Sequence, residues 1–88
     1  MFREVKDSKW SADHIARHGV TLNEVREAIL QRPYWQVEGK GDTVLIYGRI
    51  HAGRYLFVVA ADDDGDAFIV TARDMTPSER KTFQRKAR

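Results

Sequence analysis

Three arginines stand where strands meet their turns in the second half of the chain: Arg49, Arg54 and Arg73. The run 45–59 (LIYGRIHAGRYLFVV) reads as a hairpin and 68–73 (FIVTAR) as the strand that follows. In an up-down-up meander, the end of one strand, the start of the next and the end of the third fall at one edge of the sheet. Guanidiniums gathered there repel one another unless an anion shares the space, and their forked donors match phosphate oxygens, so a phosphate-bearing ligand is expected. His51, in the turn between Arg49 and Arg54, is the histidine nearest the group. With an unperturbed pKa of ~6.5 it is either a general acid–base or an exposed turn residue.

Alternation along the strands decides which of these groups share a face. An even-numbered turn centred on Ala52-Gly53 puts Tyr47 and Arg49 with Arg54, Leu56 and Val58. Pairing Val58 with Ile69, Leu56 with Thr71 and Arg54 with Arg73 then collects Tyr47, Arg49, Arg54, Thr71 and Arg73 on one side. It leaves Ile46, Tyr55, Phe57, Val59, Phe68, Val70 and Ala72 as an apolar face for helices to cover. A register shifted by one residue sends Arg73 to the other side, and burial favours the first pairing. Arg54 opposite Arg73 is unfavourable without a compensating charge.

The elements that hold these strands are signalled locally. The segment 11–19 (SADHIARHG) predicts a first helix, capped by Ser11 and closed by Gly19. Thr21 with Glu24 forms a capping box opening a second helix, with Leu22, Val25, Ala28 and Ile29 on its buried stripe and Pro33 as its stop. Residues 33–38 predict a short strand and 39–42 a turn. Thr76-Pro77-Ser78-Glu79 opens a third helix that carries the basic tail. The expected fold is α+β: two N-terminal helices, a four-stranded mainly antiparallel sheet and a C-terminal helix, as one domain over residues 1–88.

Composition narrows the class. The 88 residues are 42% hydrophobic and 32% charged, with net charge +2 and no cysteine, which excludes disulfides, thiol catalysis and cysteine zinc sites and fits a cytoplasmic protein. No apolar run approaches a membrane span, so no membrane partner is expected. Asp62, Asp63, Asp64 and Asp66 crowd one loop without the spacing of a calcium site and read as a solvated turn. Arg80, Lys81, Arg85, Lys86 and Arg88 load the end of the chain, either a solvated helix face or a polyanion surface. His14 and His18 have helical two-ligand spacing but no third ligand beside them, so no metal is expected. Trp10, Tyr34 and Trp35 serve either packing or base stacking.

His18-Gly19-Val20 before a capped helix, Tyr47-Gly48-Arg49, Gly53-Arg54, Thr71-Ala72-Arg73, Met75-Thr76 and Glu79-Arg80 together resemble the BrnT family of bacterial toxins and the related DUF4258 group. The resemblance runs from Trp10 to Phe83. It implies a RelE-like fold and a ribonuclease toxin of a type II toxin–antitoxin system, neutralised by a small ribbon-helix-helix antitoxin and meeting operator DNA only through that complex. It departs from the family where Asp42-Thr43 replaces a charged pair before the middle strand, and where Phe83 replaces a tyrosine. Arg49, Arg54 and Arg73 resemble the positions lining the family's cleft, with Arg80 beside it. Metal-independent cleavage uses the ribose 2′-hydroxyl as nucleophile, needs charge stabilisation on the phosphate, and requires no cofactor. The expected catalytic set is Arg73, Arg49, Arg54 and His51, with Tyr47, Arg80, Lys81 and Arg85 on the RNA. Asp74 and Glu79 are further candidates for the base, although the helix cap also claims Glu79.

Overall fold

Two capping boxes anchor the helical layer as expected. Thr21 Oγ1 accepts from the Glu24 amide while Glu24 Oε1 accepts from the Thr21 amide, opening α2 (Leu22–Leu30). Thr76 and Glu79 do the same for α3 (Pro77–Lys86), with Pro77 at the first helical position. A computed structural model describes residues 2–6 and 9–87, the backbone alone at 9 and 10, so the expectations for the Trp10 side chain and for Arg88 lie outside the described residues. The first helix, α1, spans Lys9–Ala16, earlier than the sequence implies. Ser11 lies inside it and is buried, not at its cap. Gly19 does close the turn, at φ +71°, with its amide on the Ala16 carbonyl.

The strands are β1 (Glu4–Lys6), β2 (Tyr34–Glu38), β3 (Thr43–Arg49), β4 (Tyr55–Asp63) and β5 (Asp66–Asp74), in the order β1-β5-β4-β3-β2. The expected four-stranded sheet is therefore five-stranded and mixed, because β1 adds parallel to β5. Three residues carry no periodic signal. What recruits them is tertiary: Val5 is buried, while Arg3 and Lys6 reach Asp66 at 3.7 Å each. Among the described residues no helix is long and apolar enough to cross a membrane.

The β3–β4 connection corrects the expected pairing. Its tip is three residues, His51-Ala52-Gly53, with the Gly53 amide on the Ile50 carbonyl and Gly53 at φ +88°. An odd turn pairs Arg49 with Tyr55 and Tyr47 with Phe57. The side chains of Arg54, Leu56 and Val58 consequently face the helices, whereas Tyr55, Phe57 and Val59 join Tyr47 and Arg49 on the other side. The aspartate loop is the expected turn, but only Asp64-Gly65 forms its tip, at φ +52° and +91°. Asp63 then pairs with Asp66, and from there the register would put Arg73 opposite Leu56 on the helical side. A bulge at Val70, opposite the Val59/Ala60 step, adds one residue to β5 and places Arg73 opposite Phe57.

The helical face of the sheet is built from Val44, Ile46, Leu56, Val58, Ala60, Ala67, Ile69 and Ala72, packed with Ile15, Val20, Val25, Ala28 and Ile29. Ile46, Leu56 and Val58 are at most 1% exposed, each contributing ~1.5–3 kcal/mol from burial. Of the face expected to be apolar, Ile46 and Ala72 are in this core, whereas Phe68 and Val70 are exposed. Gly48 sets the closeness of the two layers, because a Cβ there would stand 2.4 Å from the Ala28 carbonyl oxygen of α2. His14 fastens α1 to β5, its Nε2 lying 3.1 Å from Thr71 Oγ1.

Candidate active site

One row of side chains crosses four strands on the face away from α1 and α2. Trp35 of β2 pairs with Tyr47 of β3, Tyr47 with Phe57 of β4, and Phe57 with Arg73 of β5. Trp35 stacks on Tyr47 with centroids 4.7 Å apart, and Tyr47 meets Phe57 at 4.9 Å. The Arg73 guanidinium carbon lies 4.4 Å from the Phe57 centroid. Cross-strand aromatic contacts of this kind stiffen a sheet surface, and here they end on a cation.

Arg73 is half committed. Its Nη1 donates to Glu79 Oε1 at 2.8 Å and to its neighbour's carbonyl, Asp74 O, at 2.9 Å, and Nη2 donates to Glu79 Oε2 at 3.1 Å. The remaining side-on fork, Nε–H with the second Nη2–H, is used by no described residue. One guanidinium can thus hold Glu79 and still grip a phosphate. The bonds from Arg73 hold the Glu79 carboxyl below the usual glutamate range, with the Thr76 amide assisting. Burial raises the Tyr47 hydroxyl, and the Glu79 charge raises it further. Tyr47 is therefore a protonated phenol beside an ionised carboxylate.

The next rung of the same face carries Arg49 opposite Tyr55. The register separates Arg49 from Arg73 by about 12 Å between Cα atoms, two strands across and two residues along. Guanidinium carbons of Arg49 and Arg80 lie 5.5 and 4.2 Å from the Tyr55 centroid. Tyr55 also packs edge-on against the buried Phe83 of α3. Its hydroxyl accepts from Gln84 Nε2 at 3.3 Å, and that bond together with Arg49 and Arg80 lowers its pKa. Arg80 is thus beside the face as expected, while Lys81 and Arg85 are exposed on α3. His51 is exposed in the β3–β4 turn, its amide donating to a Glu27 carboxylate oxygen, and it lines a cavity with Arg49 instead of joining Arg73.

Arg54 does not join the others. Its Nε and Nη2 donate to the two Asp74 oxygens at 2.6 and 3.3 Å, and Nη1 donates to the Gly19 carbonyl at 2.8 Å and to Glu24 at 3.1 Å. No fork is left for a phosphate. The expected three-arginine cluster is corrected to two arginines, Arg49 and Arg73, with Arg54 as a clasp binding the α1–α2 turn and the start of α2 to the end of β5. The physical reason is the odd turn before it. Asp74, opposite Leu56, is engaged by the clasp on the helical side of the sheet, across from Arg73, and this position removes it from the candidate bases; the bonds from Arg54 hold it below its usual range.

Glu79, Tyr55, Phe57 and Trp35 are the members of the site that sequence reasoning under-read. Glu79 was legible as a cap, and the two roles coexist because its Oε1 accepts from both Thr76 N and Arg73. Tyr55 and Phe57 were legible as strand residues, but the parity error moved them to the core. The glycine at the third position of the turn was the signal that could have placed them. Among the described residues no three histidine, aspartate or glutamate side chains converge as metal ligands would. No protein-family model matches the chain, and no curated protein matches it.

Proposed function

We propose that the chain is a metal-independent endoribonuclease acting in the cytoplasm as the toxin of a type II toxin–antitoxin pair, a RelE-like member of the BrnT family. The observation that carries the catalytic part is the open fork of Arg73 beside Glu79 and Tyr47, at the end of an aromatic row. The toxin role and the ribbon-helix-helix antitoxin rest on the resemblance of the motifs.

In this reading the ribose 2′-oxygen attacks phosphorus, the bond from phosphorus to the 5′-oxygen breaks, and a 2′,3′-cyclic phosphate is left. Arg73 donates to the non-bridging oxygens through Nε–H and Nη2–H, stabilising the charge gained in the transition state. Glu79, kept ionised by Arg73, takes the 2′ proton. The Tyr47 phenol supplies a proton to the departing 5′-oxygen. Trp35 and Tyr47 offer ring surface to bases, and Arg49, Arg80, Lys81 and Arg85 hold flanking phosphates. His51 is not needed for either proton.

The test is cleavage of single-stranded RNA in chelator by wild type, Arg73→Lys and Arg73→Ala. Wild type is expected to release cyclic-phosphate ends. Arg73→Ala should be slower by about 10²-fold, the usual loss for one donor to a developing anion, and Arg73→Lys only partly restored because lysine has no fork. Intact RNA with the wild-type protein, together with no growth arrest on induced expression, would sink the nuclease reading. One observation favours an alternative, a non-catalytic RNA-binding or protein-binding module: Glu79 already neutralises Arg73. Tight RNA binding without cleavage would select it.

A further inference from the structure

Arg32 and Arg49 differ from the other strand-end arginines in having no carboxylate. Among the described residues neither guanidinium makes a hydrogen bond or an ion pair. Their guanidinium carbons contact only rings, Arg32 at 6.0 Å from the Tyr34 centroid and Arg49 at 5.5 Å from that of Tyr55. Both line one cavity of about 250 Å³ with Gln31, Pro33, Ile50 and His51. A water fills about 30 Å³ of liquid, so there is room for a phosphate group with part of its hydration shell. Glu27 accepts a hydrogen bond from the His51 amide and forms an ion pair with neither arginine.

Two arginines with unpaired guanidiniums, a histidine and a glutamine lining one cavity make it an anion site by chemistry, since each of these side chains carries N–H donors. Two guanidiniums lining one cavity with neither ion-paired repel each other, a cost that a bound anion relieves. Continuity decides which anion. Arg49 stands on the rung next to the Trp35–Tyr47–Phe57–Arg73 row, and Trp35 itself lies on β2, the strand that follows Arg32 and Pro33.

We propose that the cavity between Arg32 and Arg49 binds a phosphodiester of single-stranded RNA flanking the one held at Arg73. This rests on the ribonuclease reading only for the identity of the chain that runs between the two sites. Arg32 is its distinguishing residue, because Arg49 belongs also to the Tyr55 cluster.

The experiment measures binding apart from cleavage. A short single-stranded RNA with methylated 2′-hydroxyls, which the 2′-oxygen route cannot cut, is titrated by fluorescence anisotropy over a series of salt concentrations. Wild type, Arg32→Ala, Arg32→Glu and Arg49→Ala are compared after circular dichroism shows the same fold. Arg32→Ala should weaken binding about tenfold at low salt, as for a lost charged hydrogen bond, and flatten the logarithmic salt slope by about 0.7, the increment for one phosphate on a single strand. Arg32→Glu should weaken it further. Unchanged affinity and slope in both Arg32 variants overturns the site, as does failure of the wild type to bind this RNA. Displacement of the RNA by polyglutamate at equal charge also overturns it, in favour of an acidic protein partner. Cleavage of unmodified RNA is scored separately. A wild type that binds through Arg32 but never cuts keeps this site and removes the nuclease, whereas one that cuts while Arg32 is dispensable does the reverse.

Discussion

Arg54 and Arg73 occupy equivalent places, one opening a strand and one near the end of the next, yet they lie on opposite faces of the sheet and spend their donors differently. Arg54 donates to a carbonyl of the α1–α2 turn, a carboxylate of α2 and a carboxylate of β5, joining three parts of the chain through one side chain. Arg73 donates to one carboxylate and a neighbouring carbonyl on the uncovered face and retains a fork. A guanidinium with no free fork left inside the protein is a structural part, and one that keeps an unused fork can take a ligand. What separates them is one residue in each of two places, the three-residue turn before Arg54 and the bulge before Arg73.

The largest effect should come from shifting the end of β5 by one place beyond the bulge. Inserting one alanine between Thr71 and Ala72 slides the strand so that Arg73 faces Leu56 under the helices while Ala72 turns outward. An uncompensated guanidinium there should destabilise by several kcal/mol, enough to abolish cooperative urea unfolding. A well-folded, active insertion variant would show that this register is not what places Arg73. Next is Arg73→Ala, for which the expected loss is in cleavage rate, with the unfolding free energy from urea titration falling by less than about 1 kcal/mol because the Glu79 cap survives.

Arg54→Ala should do the opposite. Loss of bonds to Asp74, Glu24 and Gly19 is expected to lower stability by about 1–2 kcal/mol, while cleavage per folded molecule stays within about threefold of wild type. A collapse of the cleavage rate without loss of stability would erase the distinction between the two arginines.

The smallest effect is in its pH dependence. Bonds from Arg54 hold Asp74 below its ordinary range, and the Thr21 amide, with Arg54 assisting, lowers Glu24. For a carboxylate lowered by folding, the stabilisation is present above the unfolded pKa of about 4 and is lost as pH falls through the lower folded value. The gap between wild type and Arg54→Ala, followed by urea unfolding at successive pH values, should therefore be full at neutral pH and close below about pH 4. A gap that persists in acid would mean that Arg54 acts through packing.

Much of the fold was legible in local signals. The two capping boxes need only residues three apart, and the buried stripe of α2 is a single helical period, so both survive any tertiary arrangement. Gly19 was readable because its backbone conformation suits few residues, and the aspartate loop because turn-forming residues crowd there, although its two-residue tip was not. β1 was not readable, since a three-residue strand gains its hydrogen bonds from β5 and its ion pairs from Asp66, neither of which lies nearby in sequence. The arginine site was half legible: residue type and strand-end position pointed to Arg49 and Arg73, and the same logic wrongly included Arg54.

The order of residues alone determined where helices begin, which segments extend, and that several guanidiniums would stand near strand ends, because caps, periodicity and turn residues act over a few positions. Only the tertiary structure decided which of those guanidiniums share a face. Side chains alternate with a period of two along a strand, so a single residue gained in a turn or a bulge inverts every position beyond it, and the choice between the alternatives is made by how the whole sheet packs beneath α1 and α2.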